Sequence, residues 1–358
     1  MLLNNLSVSN LKKALLAVCD LPDNEKNQKL IDDSVFHIGV ERPWESTLDL
    51  IALYAANLMN AGGGRGPQRD PLAKMTRCAI EGAGFFDDGR LTGKFDIRRF
   101  ASVAAGYVDR YPLADRQTVD YASILREMTK PEYGPEIKKK VIFQLTKSIE
   151  QFCNYLLAEH AGSAENFSKQ FTENVRGDDA KARTLDAARF RAQRGRPLQA
   201  FLKMGPAITP NFLKDSQIGR AQSIGNLAEV YLGTLGKPDM HVKAFMLAFT
   251  GRIRVDSKAK LNELMSLDDS ALTRKFEENT PCAESGWENW PMSSAGEDKC
   301  LNDLNFLAFA NRDAGIVVDR LLYIAGAKND SSPIASDKHD IMGVRYEKFL
   351  RSLGLIAW

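Results

Sequence analysis

The segment between residues 196 and 215 contains the turn best suited to bind an anion. In FLKMGPAI, the order Met204-Gly205-Pro206 predicts the end of one helix, a tight turn that glycine permits, and a second helix that proline begins. A turn of this kind directs the amide groups of a helix N-terminus outward, where they suit a phosphate oxygen. An ordinary corner between two helices has the same pattern, so the turn alone leaves both interpretations open.

The stretch LGTLGKPDMHVKAFMLAF (232–249) adds a second element. Together, the two stretches resemble the hairpin, the Gly/Pro-rich loop and the aspartate of the helix-hairpin-helix DNA glycosylase superfamily. A third fragment, DAGIVVDRLLYIAGA (313–327), is similar to the family's last core helix. The resemblance covers about residues 140–327, and 34 positions separate Gly205 from Asp239. That separation is longer than in the commonest members, so residues between the two elements would form an inserted helix or loop.

The resemblance implies that Asp239 is the catalytic carboxylate and caps the helix that follows it, near the positive end of that helix. In such enzymes the target nucleotide is flipped out of the duplex, and the sugar gains positive charge as its bond to the base breaks. Asp239 would stabilise that charge and orient or deprotonate the attacking water. His241, two residues further on, is a candidate for substrate contact, although a lone histidine in a helix is more often structural.

The resemblance also indicates the type of product and the cofactors. Members that cleave the DNA strand as well carry a lysine in the hairpin, where this chain has Ala207. Because a Schiff base requires a primary amine, we expect a monofunctional enzyme that leaves an abasic site. The five cysteines lack metal-ligand spacing, and none follows the last core helix, so no iron-sulfur cluster is expected. The family pattern allows a structural monovalent ion at the hairpin.

DNA contacts are expected from the hairpin and from the basic residues near it. The run ARTLDAARFRAQRGRP (182–197) has five arginines and one acidic residue, although such a run is often simply a solvated helix face. Lys203 and Lys214 are interpreted as phosphate contacts or solvated charges, and Arg252, Arg254 and Lys258 as a cluster that could hold the same strand. The predicted DNA-binding set is Lys203, Gly205, Ala207, Lys214, Arg189, Arg191, Arg194, Lys237 and His241.

Aromatic residues could stack on a flipped base. Trp44, Tyr54, Trp287 and Trp290 are the candidates, and a packing role is the favoured alternative for each. The target base itself is not encoded in a recognisable motif. The additional N-terminal region is consistent with a specialised substrate, such as the modified cytosines of phage DNA that antiviral members of the family remove.

The elements that must position these residues are helices. Apolar residues recur at intervals of three and four in LSVSNLKKALLAVCD, TLDLIALYAANLMNA, KKKVIFQLTKSIEQFCNYLLAEHA and HVKAFMLAF, and strand alternation is nearly absent. We predict an all-α protein with a two-lobed, helix-hairpin-helix glycosylase-like domain over residues 131–358. An additional helical region would occupy residues 1–130, with irregular segments at 61–70 and 280–299 and a turn or short hairpin at 86–96.

Composition limits the remaining possibilities. The formal net charge is only +2, so a polyanion partner requires local clustering of lysine and arginine. No signal peptide or long apolar span is present, and we expect a cytoplasmic monomer that binds double-stranded DNA and no membrane. Phosphate-loop, GxSxG and HExxH motifs are absent. The alternatives are a non-catalytic helix-hairpin-helix DNA-binding protein and a helical defence-system subunit without a nucleic-acid role.

Overall fold

The computed structural model is built almost entirely of helices. It describes residues 8–37, 44–58, 69–113, 120–172, 195–205, 208–223, 236–281, 296–310, 321–322 and 342–358. The elements are α1 Val8–Val18, α2 Glu25–His37, α3 Thr47–Leu58, α4 Arg69–Gly82, β1 Phe86–Asp87, β2 Arg90–Leu91, α5 Ile97–Arg110, α6 Tyr121–Met128, α7 Pro135–Lys138, α8 Val141–His160, α9 Ala164–Thr172, α10 Ile208–Ser223, α11 Met240–Phe249, α12 Lys258–Ser266, α13 Asp269–Glu278, α14 Gly296–Ala310 and α15 Met342–Ser352. The prediction of an all-α protein is thus confirmed for the described residues. None of these helices has the length and apolar character that a membrane span requires.

The chain divides into two compact units. Unit 1 contains residues 1–41, 178–190 and 227–358, and unit 2 contains residues 42–177 and 191–226. Within its described part, unit 1 comprises α1, α2 and α11 to α15, and unit 2 comprises α3 to α10 with the small strand pair. The sequence boundary predicted near residue 130 lies inside unit 2, between α6 and α8.

The core of unit 2 is an aromatic cluster contributed by α3, α8, α9 and α10. Tyr54 stacks on Phe152 with ring centroids 4.1 Å apart, and Phe212 meets the edge of both rings. The Tyr54 hydroxyl is hydrogen-bonded to Ser148 Oγ at 2.8 Å, which satisfies the one polar atom of this side chain. The apolar periodicity of α3 and α8 therefore identifies helices that form this core.

The strand pair is a short hairpin, as the sequence allowed. Phe86 pairs with Leu91, and Asp87 pairs with Arg90 in antiparallel register. The two turn residues between the strands, Asp88 and Gly89, have φ of 44° and 74°. Positive φ at both positions is typical of the tight turns that match the twist of antiparallel strands, and Asp-Gly is a favoured sequence for them.

Two segments predicted as irregular are partly helical. Arg69 and Asp70 already belong to α4, and residues 296–299 begin α14. In α14, Glu297 and Asp298 occupy the first turn, where negative charge is stabilised by the helix dipole. At Gly296, a Cβ atom would lie 2.2 Å from the carbonyl oxygen of Thr273, so glycine permits the close approach of α14 to α13. The glycine was thus a packing residue rather than a sign of a loop.

Candidate functional site

Asp239 caps α11 in the manner that the resemblance implied. Its backbone is extended, with φ −81° and ψ 173°, and its Oδ1 atom accepts hydrogen bonds from the backbone N–H groups of His241 and Val242, both at 3.0 Å. The side chain is half-buried. The capping prediction is confirmed. Both of these bonds use Oδ1, and no described residue forms a hydrogen bond with Oδ2.

The helix that Asp239 caps is buried along most of its length. Val242, Phe245, Met246, Leu247 and Phe249 have no exposed surface, and α11 packs against α13 and α14. A helix held in this way has little freedom to shift. The position of the capping carboxylate is therefore determined by the core of unit 1 and not by a surface loop.

Lys243 lies one helical turn after Asp239 and is fully buried. Its Nζ donates to Asp269 Oδ1 at 3.0 Å, to Thr273 Oγ1 at 2.8 Å and to Glu297 Oε1 at 3.3 Å. The ammonium group thus ties α11 to the first turns of α13 and α14, and a buried cation is tolerated because three oxygen atoms surround it. This buried cation was not predicted from the sequence, although a lysine directly before the apolar run AFMLAF was a visible signal.

Arg252 is not at the surface, where the sequence placed it. The sequence grouped it with Arg254 and Lys258 as a DNA-binding cluster, but Arg252 is only 5% exposed. Its Nε and Nη2 atoms bond to Asp303 Oδ2 at 3.0 and 2.9 Å, and Nη1 donates to the carbonyl oxygen of Asn279 at 2.8 Å. Its guanidinium also lies over the ring of Phe276. The side chain is a structural cation of the core of unit 1. The prediction that Arg252 contacts a DNA strand is therefore wrong.

His241 and Tyr346 lie beside the cap. Burial lowers the pKa of His241 below its usual 6.5, and the charge of Asp239 opposes that shift. The Tyr346 hydroxyl donates to the backbone carbonyl of His241, which connects α15 to the first turn of α11. Burial raises the pKa of Tyr346 well above 10.0, and the nearby charge of Asp239 raises it further. His241 is therefore held in a half-buried position, as expected for a structural histidine, and its contact with substrate stays a prediction.

Cys300 completes the ionisable groups around α11. It is fully buried, and burial raises the pKa of its thiol well above 9.0. A nucleophilic cysteine needs a lowered pKa and access to a substrate. Cys300 has neither, so it is a buried, structural thiol. Among the described residues, no group of three or more side chains is arranged to hold a metal ion.

The predicted hairpin belongs to unit 2, whereas Asp239 belongs to unit 1. Residues 195–199 are helical, Lys203 adopts φ +66°, and α10 begins at Ile208. The backbone N–H of Thr209 donates to the carbonyl oxygens of Met204 and Gly205 at 3.2 and 3.1 Å. The Thr209 N–H is therefore used within the protein and Pro210 has no N–H, so neither residue offers a free amide donor to a phosphate.

Lys214 differs from expectation because α10 is a buried helix. The residue is 2% exposed, so it is not the solvated surface charge that the sequence suggested. Lys203, Gly205 and Lys237 are half-buried and retain some access to solvent. The other predicted DNA-binding residues, Ala207, Arg189, Arg191 and Arg194, lie outside the described residues, as does most of the fragment 313–327.

Two of the four aromatic candidates for base stacking are buried, and the other two lie outside the described residues. Trp44 is 2% exposed and donates from Nε1 to the carbonyl oxygen of Ser216 at 2.5 Å. Tyr54 is fully buried in the core of unit 2. Packing is thus confirmed for these two residues, and Trp287 and Trp290 lie outside the described part of the chain.

Comparison with known proteins adds no relative from which function could be transferred. No protein-family model, curated protein or solved structure matches the chain.

Proposed function

We propose that this protein is a monofunctional DNA N-glycosylase with a two-lobed helix-hairpin-helix architecture, in which Asp239 is the catalytic carboxylate. The observation that carries the proposal is the cap of α11. At the N-terminus of a helix held by a packed core, Asp239 uses one oxygen to fix its own orientation, and no described residue bonds to the other. A preorganised carboxylate of this kind suits a reaction in which positive charge develops on a sugar.

The reaction would proceed on a nucleotide extruded from double-stranded DNA. As the bond between the base and the sugar carbon breaks, the base leaves with the electron pair and the sugar becomes positively charged. Oδ2 of Asp239 would stabilise that charge and accept a proton from the water whose oxygen bonds to the sugar carbon. The departing base takes up a proton from solvent, and the product is an abasic site.

No amine enters the proposed chemistry. Lys243, which lies one helical turn after Asp239, is buried and bonded to three oxygen atoms. It is therefore poorly suited to attack a sugar carbon and form the Schiff base that strand cleavage requires. This geometry supports base removal without strand cleavage, in agreement with the alanine at position 207.

The test is replacement of Asp239 with asparagine. Asparagine is as good a helix cap as aspartate but carries no charge, so the fold should persist while the chemistry is lost. The matched control is Asp120→Asn, because Asp120 caps α6 by accepting from the N–H of Ser123 at 3.0 Å. Purified proteins would be incubated with end-labelled duplexes and with unmodified and hypermodified phage DNA, and abasic sites detected by alkali cleavage.

We expect abasic sites with the wild type and the control, and a rate at least about 100-fold lower with Asp239→Asn. Modified cytosines are the first substrate class to test. Binding of DNA without abasic sites on any substrate would instead favour a non-catalytic clamp. Failure to bind DNA at any salt concentration would favour the helical subunit without a nucleic-acid role.

A further inference from the structure

We propose that unit 2 carries a basic surface that binds the nucleic-acid backbone and consists of residues other than those of the hairpin and the arginine run. The surface is defined by five cations: Lys94, Arg98, Arg99, Lys138 and Lys140. All five are exposed, and among the described residues none of them has a carboxylate within ion-pair distance. This proposal concerns binding alone and does not require Asp239 to be catalytic.

Pairing distinguishes these cations from their neighbours. Lys130 is paired with Glu127 at 2.5 Å, Lys139 with Glu136 at 3.0 Å, and Arg126 with Asp109 at 2.5 Å. The charges of these three cations are therefore already compensated within the protein. The five cations of the basic surface have no such carboxylate partner in the described part of the chain, so their positive charge is available to an external anion.

Residues 131–134 connect the cations near the start of α5 with those that precede α8. The Nη2 atom of Arg98 donates to the carbonyl oxygen of Pro131 at 3.1 Å, and the ring of Tyr133 packs on Phe143 with centroids 5.3 Å apart. Residues 131–134 thus contact the start of α5 on one side and the first turn of α8 on the other. The cations that precede α8 and those that begin α5 consequently belong to one continuous surface.

Three of these cations occupy positions that are unfavourable for the isolated protein. Arg98 and Arg99 occupy the first turn of α5, and Lys140 is the N-cap residue of α8, which has no side-chain cap and no acidic residue in its first turn. Cations near the positive end of a helix are destabilising, by about 0.3–1 kcal/mol in exposed positions. Folding alone favours aspartate, serine or glutamate there. The positive groups become favourable when they face a row of phosphates.

A nucleic acid fits this surface better than a membrane does. Membrane-surface elements combine cations with a row of large apolar side chains that insert among the lipids. In the described part of this surface, the one large hydrophobic side chain that is exposed is Val141. Several exposed cations along a polar surface match the regular charge of a phosphate backbone.

The experiment compares two triple variants that remove the same charge. Arg98→Gln, Lys138→Gln and Lys140→Gln are combined in the surface variant. Lys13→Gln, Lys260→Gln and Lys275→Gln are combined in the control, because each of these lysines is near a carboxylate in unit 1. Binding to a 20-base-pair duplex of arbitrary sequence would be measured between 50 and 300 mM salt, with urea unfolding of each variant as the check of folding.

We expect the surface variant to bind at least about tenfold more weakly at 100 mM salt, with the salt slope lower by about 2 to 3, since each lost phosphate contact removes about 0.9. The control should keep the wild-type slope. Equal slopes in all three folded proteins would overturn the proposal. So would binding of the wild type to vesicles containing 30% phosphatidylserine but not to DNA. The two proposals can be distinguished. If Asp239→Asn loses excision but binds DNA as the wild type does, binding does not depend on the catalytic carboxylate. If the wild type binds DNA but excises no base, only the enzymatic proposal is overturned.

Discussion

Asp303 provides a quantitative test of the core of unit 1. Its side chain is fully buried on α14, and one oxygen, Oδ2, accepts both bonds from Arg252. The other oxygen, Oδ1, is buried and has no hydrogen-bond partner among the described residues. Burial raises the pKa of Asp303 from 3.8 to about 6, while the charge and hydrogen bond of Arg252 act in the opposite direction. Desolvation of the carboxylate thus outweighs its ion pair.

The sign of the pH dependence follows from this shift. Between 3.8 and about 6, the folded protein binds the Asp303 proton more tightly than the unfolded chain does. The stabilisation that Asp303 provides is therefore complete below pH 3.8 and is lost as the pH rises through about 6. The difference between these two pKa values corresponds to about 3 kcal/mol in the free energy of unfolding. Asp303→Asn removes the titration, so the difference between wild type and variant isolates it.

The measurement is urea unfolding at pH 4, 5, 6 and 7 for the wild type, Asp303→Asn and an exposed control, Asp256→Asn. Absolute stability is not the criterion, because the asparagine leaves Arg252 without a counter-charge at every pH. We expect the wild type to lose about 3 kcal/mol relative to Asp303→Asn between pH 4 and pH 7, and no comparable change relative to the control. A flat difference, or a wild type that gains stability relative to Asp303→Asn as the pH rises, would refute the argument.

Three further substitutions test other parts of the fold by the midpoint of urea unfolding. Gly162→Ala should destabilise by about 2 kcal/mol or more, because Gly162 has φ +68° and a Cβ would lie 2.2 Å from the carbonyl oxygen of Leu91; a neutral effect would contradict that contact. Tyr54→Phe should cost about 1 kcal/mol through loss of the bond to Ser148, and a cost above about 3 kcal/mol would indicate a different role. Lys243→Met should destabilise by about 1–3 kcal/mol, since it leaves three oxygen atoms without their donor; a stabilised variant would show that packing outweighs the polar network.

Local features of the fold could be predicted from the sequence because their causes are local. Apolar periodicity identified α3, α8 and α11, and the turn or short hairpin predicted within residues 86–96 is the strand pair with its turn at Asp88-Gly89. The cap by Asp239 was predictable for the same reason, since a cap involves an oxygen and two amides within three residues of one another.

Burial of individual cations could not be predicted in this way. Arg252 and its partner Asp303 are 51 positions apart, and Lys243 and Glu297 are 54 positions apart. A basic residue whose partner lies so far along the chain looks the same in sequence as one that faces solvent. The sequence therefore assigned Arg252 and Lys214 to a DNA-facing role, although both are buried.

These buried cations change where a DNA surface can lie. The formal net charge is only +2, so attraction to a polyanion depends on which cations are exposed and lack a counter-charge. Arg252, Lys243 and Lys214 are all nearly or fully enclosed and contribute little to an external surface. The exposed cations that start α5 and precede α8 have no such internal partner. If the chain binds DNA, the salt dependence of that binding should consequently respond more to unit 2 charges far in sequence from Asp239 than to the basic residues that follow the Asp239 helix.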